Sequence, residues 1–369
     1  MVDLKGQYLK IKEAVDCGIQ DVINHAGFIN GPEVKMFASE LEDFLKVNCV
    51  IPCANGTDAL QIALMALGLK PGDEVITANF TFASTVEVIG LLGLKPVLVD
   101  VDENHFCCQA ELIKKAITPK TKAIIPVHIF GQCAPMQEIM AIAKEFGIPV
   151  VEDAAQAIGA RCLINGEWQY AGTIGDIGTT SFFPSKNLGC YGDGGALFTQ
   201  DENLGKKLKA ITNHGMSKRY YHDEVGVNSR LDSIQAAVLR VKLPLLDSYN
   251  AARKKAADYY CAQLKDFPGI LVPNQVSYSE HVFHQFTLRI LDGKRDELVN
   301  YLQNEGVSAM VYYPVPLHQQ KAYSQKNVGD DQFPITLKLV GEVCSIPMHT
   351  ELTEAQQDFI IAKIKTFFK

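Results

Sequence analysis

Short apolar segments alternate with helical patterns through the first two thirds of the chain. The apolar segments are rich in β-branched residues and are bounded by proline or charged residues, which is typical of buried strands. This alternation of strands and helices predicts an α/β domain with a mainly parallel sheet. The predicted strands lie at 74–77, 96–100, 122–127 and 149–153, and helices are predicted at 58–67, after a capping cluster at Asn55, and at 136–146, before Gly147.

The pattern changes near Pro244, where the alternation gives way to a long polar helix. We therefore predict a boundary that leaves an N-terminal segment and a large α/β domain in 1–244 and a smaller C-terminal domain in 245–369. A helical stretch near the N-terminus is expected to return to the smaller domain or to cover the site. These later and terminal elements are predicted at 245–266 (helix), 284–291 (strand), 294–305 (helix) and 7–25 (helix).

Composition, net charge and cysteine spacing exclude several classes of protein. The chain has 369 residues, 47% of them hydrophobic, and a formal net charge of -7, which argues against a nucleic-acid surface, although a local basic patch could hold a phosphate-bearing substrate. No segment approaches the roughly 20 apolar residues of a membrane helix, and no leader pattern is present, so a cytoplasmic location is expected. The ten cysteines show no paired C-x-x-C spacing. They are expected to be mostly small buried hydrophobic residues, and no metal site is predicted.

The candidate chemistry lies in the segment 180–196, where Lys186 occupies a small, polar and glycine-rich turn between strands. Desolvation in such a turn would lower the pKa of the Lys186 amine and allow it to form a Schiff base with an aldehyde cofactor. A solvated loop lysine is the alternative interpretation. The residues around Lys186 favour the first interpretation.

The segment 181–186, Ser-Phe-Phe-Pro-Ser-Lys, with the glycine-rich turn after it, resembles the cofactor-lysine motif of the DegT/DnrJ/EryC1/StrS family of sugar aminotransferases. The resemblance runs nearly end to end and keeps the family order. It includes the segments Cys53-Ala54-Asn55-Gly56-Thr57-Asp58-Ala59-Leu60, Asn79-Phe80-Thr81-Phe82-Ala83-Ser84-Thr85, Val151-Glu152-Asp153-Ala154-Ala155-Gln156, Gly226-Val227-Asn228-Ser229-Arg230-Leu231-Asp232 and Tyr313-Pro314-Val315-Pro316-Leu317-His318.

This resemblance implies an aspartate-aminotransferase-like, fold-type-I enzyme that uses pyridoxal 5'-phosphate (PLP) and works as a homodimer with shared active sites. Lys186 would carry the cofactor and move protons as general acid and base. Asp153, which ends an apolar strand, would keep the pyridine nitrogen protonated, and the Gln156 amide would hydrogen-bond near the ring hydroxyl. A helix cap at the end of a strand is the alternative role for Asp153.

Further cofactor contacts follow from the same segments. Gly56 and Thr57 open a predicted helix, so that free backbone N–H groups and the Thr57 hydroxyl could receive the cofactor phosphate. Ser181 resembles a second phosphate ligand, and Asn228 resembles one supplied by the neighbouring subunit. Phe82 matches an aromatic position over the cofactor ring. Taken alone, Phe82 would be a core residue, and Asn228 would cap a helix of its own chain.

Five residues are candidates for substrate contact. Arg230 offers a fixed charge that could reach a sugar or its diphosphate, although a surface salt bridge is the alternative. His214 and Tyr221 lie in a basic and aromatic stretch, and Tyr313 and His318 lie in a proline-rich loop of the predicted C-terminal domain.

The resemblance implies transfer of an amino group from glutamate to a nucleotide-linked keto sugar. Segments 213–215, 219–222 and 226–230 most resemble enzymes for UDP-2-acetamido-2-deoxy-3-keto-hexuronic acid, which suggests surface polysaccharide and O-antigen biosynthesis. A dTDP-linked 3- or 4-keto-6-deoxy sugar is the first alternative, and a non-catalytic regulator on the same scaffold is the second. A nicotinamide-dependent enzyme is disfavoured because the glycines near Lys186 lack the G-x-G-x-x-G spacing. A sugar dehydratase of this family is disfavoured because it would replace the lysine.

Overall fold

The computed structural model describes residues 1–325 and 328–369. Its α-helices are α1 Leu4–His25, α2 Pro32–Leu45, α3 Gly56–Ala66, α4 Ser84–Leu91, α5 Ala110–Ala116, α6 Met136–Phe146, α7 Glu202–Thr212, α8 Ser233–Lys242, α9 Leu246–Leu264, α10 Arg295–Asn304, α11 Pro334–Glu342 and α12 Glu354–Phe367. Its strands are β1 Cys49–Cys53, β2 Glu74–Ala78, β3 Lys95–Val99, β4 Thr121–Ile125, β5 Val151–Asp153, β6 Arg161–Ile164, β7 Glu167–Tyr170, β8 Ile177–Ser181, β9 Gly195–Thr199, β10 Met216–Lys218, β11 Tyr221–His222, β12 Ile270–Leu271, β13 Ser279–Glu280, β14 Phe286–Ile290 and β15 Val343–Ile346.

The central sheet forms from two groups of strands, β3-β2-β4 and β5-β8-β9-β1. Parallel bridges from Ile124 to Val150 and from Val127 to Asp153 join the groups, which gives the order β3-β2-β4-β5-β8-β9-β1. The pairs among β3, β2, β4, β5 and β8 are parallel, whereas β9 is antiparallel to both β8 and β1. The predicted mainly parallel sheet is therefore confirmed.

The predicted elements agree with the structure to within a few residues. The strand predicted at 149–153 is β5, and the helix predicted at 136–146 is α6, which ends on the left-handed residue Gly147. Asn55 caps α3 by accepting a hydrogen bond from the Asp58 N–H. Of the ten cysteines, seven are buried and all are free, as their spacing predicted.

The C-terminal third has a smaller antiparallel sheet in the order β12-β14-β15. A hydrophobic cluster drawn from residues 256–364 packs on this sheet, whereas Val282 and Leu339 join the cluster around β2 and β4. The division of the chain at residue 245 stays a prediction. The N-terminal end contacts this third, because the Met348 N–H donates to the Met1 carbonyl and the Gln7 side chain of α1 donates to the Thr350 hydroxyl. None of the described helices has the length and apolar character that a membrane span requires.

Strand β5 carries a buried polar network immediately before the predicted cofactor residue Asp153. The Glu152 carboxylate, fully buried, accepts hydrogen bonds from the backbone N–H groups of Gly172, Ile174 and Gly175. Its fourth partner is His128 Nε2, at 2.8 Å, while His128 Nδ1 accepts from the Ala134 N–H. The His128 ring is therefore held as the tautomer that donates to Glu152. This network fixes the end of β5 against the segments around it.

Replacing Glu152 with alanine is expected to destabilise the fold strongly, because four buried donors lose their acceptor. Loss of a charged acceptor from buried donors costs about 3 kcal/mol or more of unfolding free energy. Glu167→Ala, on the exposed face of β7, is the matched control and should change stability by less than about 0.5 kcal/mol. Thermal unfolding of the cofactor-free variants, followed by circular dichroism, measures the difference. Equal melting temperatures would contradict the role of Glu152.

Candidate active site

Lys186 lies in the loop between the antiparallel neighbours β8 and β9. The loop is closed by short backbone hydrogen bonds, from the Lys186 N–H to the Phe183 carbonyl at 2.8 Å and from the Cys190 N–H to the Phe182 carbonyl at 2.8 Å. The buried Lys242 amine donates to the Gly189 carbonyl at 2.7 Å and holds the far end of the loop. The loop therefore presents the Lys186 side chain from a fixed backbone.

The Lys186 side chain points into a cavity of about 650 Å³. Seven of the sequence-predicted site residues line this cavity together, although they come from five separate parts of the chain: Gly56, Thr57, Phe82, Gln156, Ser181, Lys186 and Tyr313. Further lining residues include Asp58, Ser84, Phe130, Asp193, His284, Gln285 and Tyr312. The volume is that of a typical small-molecule or cofactor site.

The electrostatics of Lys186 are set by burial. Desolvation lowers the pKa of its amine to about 8, and the negative charge of Asp153 opposes this shift. Near neutral pH a useful fraction of the amine is therefore neutral and nucleophilic. Asp153, at the end of β5, is only 5% exposed and accepts hydrogen bonds from the Thr85 hydroxyl at 2.8 Å and from the Ala155 N–H at 3.2 Å. Both bonds suit an ionised carboxylate.

The start of α3 faces the cavity at very close range to the sheet. A Cβ atom on Gly56 would lie 2.7 Å from the Ser181 Cβ, so only glycine allows this approach. The Asn55 side chain takes the Asp58 N–H, which leaves the N–H groups of Gly56 and Thr57 without a partner in the described part of the chain. These groups, with the helix dipole behind them, form an anion site.

Gln156 is oriented by two hydrogen bonds. Its Oε1 accepts from the Phe130 N–H at 2.7 Å, and its Nε2 donates to the Tyr313 hydroxyl at 3.0 Å. The second Nε2 hydrogen is not used by either contact. Burial raises the pKa of Tyr313, so its hydroxyl stays protonated at neutral pH. Gln156 and Tyr313 therefore form a connected polar wall of the cavity.

Phe82 and His284 add an aromatic surface and a buried imidazole to the cavity. The Phe82 side chain is 55% exposed and its ring lies 6.1 Å from that of Tyr313, so it is a surface of the cavity and not a core residue. His284 is buried, and desolvation together with the positive charges of Lys186 and Arg253 lowers its pKa well below the ordinary value. Its ring is therefore neutral at neutral pH, and Nδ1 lacks a hydrogen-bond partner among the described residues.

His318 is not part of the cavity lining. Both of its ring nitrogens are engaged within the chain, Nδ1 with the Asn79 side chain at 2.8 Å and Nε2 with Asp330 at 2.9 Å. A contact between His318 and a substrate would require one of these bonds to open. The predicted substrate role stays a prediction.

Asp153 also lies outside the cavity lining, as do the remaining four candidates, Asn228, His214, Tyr221 and Arg230. Tyr221 belongs to the exposed hairpin of β10 and β11, His214 is exposed just before that hairpin, and Asn228 is exposed beside its bridge partner Asn213. Arg230 donates to the Asn213 side chain at 3.3 Å. Asn228 does not cap α8, because the residue before that helix is Asp232.

Two residues that bear on this site, His284 and Thr85, received no role from the sequence. His284 falls inside an apolar strand pattern, where a histidine gives no sign of facing a cavity. Thr85 falls in the first turn of α4, 68 residues from the carboxylate that it contacts. Their part in the site becomes visible only when the fold brings these distant segments together. Asp193 could have been suspected, because it lies in the glycine-rich turn after Lys186.

Relatives of known name match the chain over its whole length. A UDP-2-acetamido-2-deoxy-3-oxo-D-glucuronate aminotransferase from Pseudomonas aeruginosa is 45% identical over 367 residues, which is 98% of each chain. A pleiotropic regulatory protein from Geobacillus stearothermophilus is 44% identical over 371 residues, covering 100% of this chain and 98% of that one.

Solved structures agree with the fold. DesV from S. venezuelae, in complex with a ketimine intermediate, has a TM-score of 0.95 and 36% identity, and the match covers 99% of this chain and 97% of that one. NtdA from Bacillus subtilis, with the bound cofactor PMP, has a TM-score of 0.87 and 33% identity, with 96% and 81% covered. The aspartate-aminotransferase-like architecture is thus confirmed.

PLP is the cofactor of this protein, and the residues of the cavity fit it. The amine of Lys186 suits its aldehyde, the N–H groups of Gly56 and Thr57 suit its phosphate, and Asp153 suits its ring nitrogen. The model of the DegT/DnrJ/EryC1/StrS aminotransferase family matches residues 10–365. The chain therefore belongs to the DegT/DnrJ/EryC1/StrS aminotransferase family.

Proposed function

We propose that this enzyme transfers the amino group of glutamate to UDP-2-acetamido-2-deoxy-3-keto-hexuronic acid. The observation that carries the proposal is that the Lys186 amine and the anion site of α3 line one cavity, while the buried Asp153 carboxylate lies near enough for its charge to raise the pKa of Lys186. The Pseudomonas aeruginosa relative, whose name states a UDP-linked 3-oxo-glucuronate substrate, supports this sugar. Cytoplasmic O-antigen synthesis as the pathway stays a prediction.

Each residue of the site has a separate proposed role toward PLP. Bound PLP supplies an aldehyde that condenses with amines and a protonated ring that withdraws electrons. Gly56, Thr57 and Ser181 would hold its phosphate, while Asp153 would keep the ring nitrogen protonated. Phe82 would cover one face of the ring, and the orientation of Gln156 lets an N–H reach the ring substituents.

Lys186 Nζ has the second task of moving protons. Because its pKa lies near 8, the neutral amine can accept a proton from the α-carbon of glutamate near neutral pH. In the second half of the reaction, the same nitrogen would donate a proton to the sugar carbon that receives the amino group. The balance is glutamate plus keto sugar giving 2-oxoglutarate plus amino sugar.

We propose that the active enzyme is a homodimer in which each cavity receives residues from the other chain. Among the described residues that line the cavity, Lys186 is the only lysine or arginine, and Asp58 and Asp193 add negative charge. A nucleotide diphosphate needs cations that this lining lacks. The exposed hairpin of β10 and β11 carries Lys218 and Arg219, and Tyr221 beside them is 61% exposed.

In this arrangement, His214, Tyr221, Asn228 and Arg230 would enter the cavity of the neighbouring chain. Asn228 would contact the cofactor phosphate there, and Arg230 would contact the sugar or its diphosphate. Tyr313 would contact the substrate within its own chain. The assignment of the first four residues to the neighbouring cavity is supported by their position outside the cavity of their own chain and by the exposure of His214, Tyr221 and Asn228.

Incubation of the holoenzyme with glutamate and a panel of nucleotide keto sugars tests the proposed substrate. We expect an amino sugar from the UDP-linked 3-keto-hexuronic acid, detected by mass, and none with the Lys186→Ala variant. Product from dTDP-linked 3- or 4-keto-6-deoxy sugars alone would transfer the assignment to that alternative. A protein without turnover and without a visible cofactor band would instead be a regulator, as the name of the Geobacillus relative suggests.

The depressed pKa of Lys186 predicts an unusual pH dependence of its reactivity. In the cofactor-free protein, acetylation of Lys186 by trace acetic anhydride should rise with pH and level off above about pH 8, because the neutral amine reacts. Exposed lysines, which titrate near pH 10.4, provide the internal comparison. Peptide mass mapping measures each site. A Lys186 profile that coincides with those of exposed lysines would contradict the role of burial.

Shared active sites predict complementation between two inactive variants. When Lys186→Ala and Asn228→Ala chains are refolded together, each mixed dimer should contain one site with both native residues. With random pairing, about a quarter of the wild-type activity should return, since half of the dimers are mixed and one site of each is intact. Lys186→Ala mixed with Asp153→Ala is the matched control, because both residues belong to one cavity and no activity should return. Mixed dimers seen by native mass spectrometry without recovered activity would reject the shared site.

A further inference from the structure

Thr85 makes a side-chain contact that links a helix to the candidate carboxylate of the site. Its hydroxyl donates a hydrogen bond to Asp153 Oδ2 at 2.8 Å, and the Thr85 side chain is fully buried. Thr85 lies in the first turn of α4, whereas Asp153 ends β5. The contact therefore joins a helix and a strand through two residues that are 68 positions apart in the chain.

The two oxygens of Asp153 are held in different ways. Oδ1 accepts from the Ala155 N–H at 3.2 Å, a local contact that the turn after β5 provides. Oδ2 accepts from Thr85, which is the shorter of the two bonds. Because Thr85 is β-branched and sits at the start of a helix, its side-chain torsion is restricted. The plane of the carboxylate is thus fixed mainly from α4.

The chemistry of Asp153 makes this contact important. A carboxylate with 5% exposure has lost most of its hydration, and hydrogen bonds donated to it stabilise its ionised form. The first turn of α4 also contributes the positive end of a helix dipole. Without the Thr85 hydroxyl, the charge on Asp153 would depend on one longer backbone contact.

We propose that Thr85 is a positioning residue that holds the Asp153 carboxylate in place for the ring nitrogen of PLP. The inference rests on the proposed role of Asp153. Thr85 itself does not line the cavity. It acts through Asp153, so its effect must disappear when Asp153 can no longer carry charge.

The test compares Thr85→Val and Thr85→Ser in the holoenzyme. Valine keeps the shape but removes the donor, and serine keeps the donor. Thr77→Val is the matched control, because buried Thr77 likewise donates a 2.8 Å hydrogen bond, but to the neutral Ile125 carbonyl. The readouts are kcat, the pH titration of the visible absorbance band in the absence of substrates, and the melting temperature of the cofactor-free protein.

We expect Thr85→Val to lower kcat by about tenfold or more, as for loss of a hydrogen bond to a charged group. It should also raise the apparent pKa of the visible absorbance band. A pyridine ring with less positive charge withdraws less electron density from the Lys186 nitrogen conjugated to it, so that this nitrogen loses its proton only at higher pH. Thr85→Ser should restore both values to near wild type. Thr77→Val should lower only the melting temperature. A Thr85→Val enzyme with the wild-type titration and kcat would overturn the proposal.

A double-mutant cycle separates this proposal from the role of Asp153. In an Asp153→Asn background, Thr85→Val should cause no further change in kcat or in the titration. If Asp153→Asn alone is near normal, the proposed role of Asp153 fails. If Asp153→Asn is impaired while Thr85→Val is normal, only the positioning role of Thr85 fails. If Thr85→Val does not fold, Thr85→Ala and Thr85→Ser carry the same comparison, and equal behaviour of the two would overturn the proposal.

Discussion

The close packing of the start of α3 against the ends of β8 and β9 is the constraint on which the site depends. Glycine is required on both sides of this contact, since a Cβ on Gly195 would lie 2.5 Å from the Asn55 backbone, just as one on Gly56 would collide with Ser181. The approach places helix N–H groups beside the loop that carries Lys186. The anion site at Gly56 and Thr57 and the Lys186 amine thus line one cavity, because the backbone of α3 contacts the backbones of β8 and β9.

Around this contact, the protonation states of Lys186 and His284 are set mainly by burial and not by exposed ion pairs. Desolvation favours the neutral amine of Lys186, while Asp153 favours the charged form, and the outcome is a pKa of about 8. His284 remains neutral between Lys186 and Arg253 for the same reason. Of the described residues that line the cavity, only Lys186 can therefore carry a positive charge near neutral pH.

The sequence predicted the parts of this architecture that depend on local patterns. The strands β2 to β5, the cap at Asn55 and the turn of Lys186 follow from periodicity and from the spacing of glycine and polar residues. The resemblance added the residues that gather around the cavity. Contacts between distant segments, such as Thr85 with Asp153 or His318 with Asn79, could not be predicted, because they depend on how the elements cross. The exposure of Phe82 is of the same kind, since an aromatic residue taken alone is normally a core residue.

Consecutive residues on β5 point to opposite faces of the sheet: Glu152 contacts the His128 ring, whereas Asp153 contacts Thr85 and acts on Lys186. A shift of this strand by a single residue would turn each of these side chains to the other face and bring Val151 or Ala154 into one of the two positions. Thr85 would lose the shorter acid that it contacts, and the four donors around Glu152 would lose the longer one that reaches them. An error in register would therefore cost stability and activity together. Correct assembly of the sheet and competence for chemistry thus depend on the same pair of neighbouring residues.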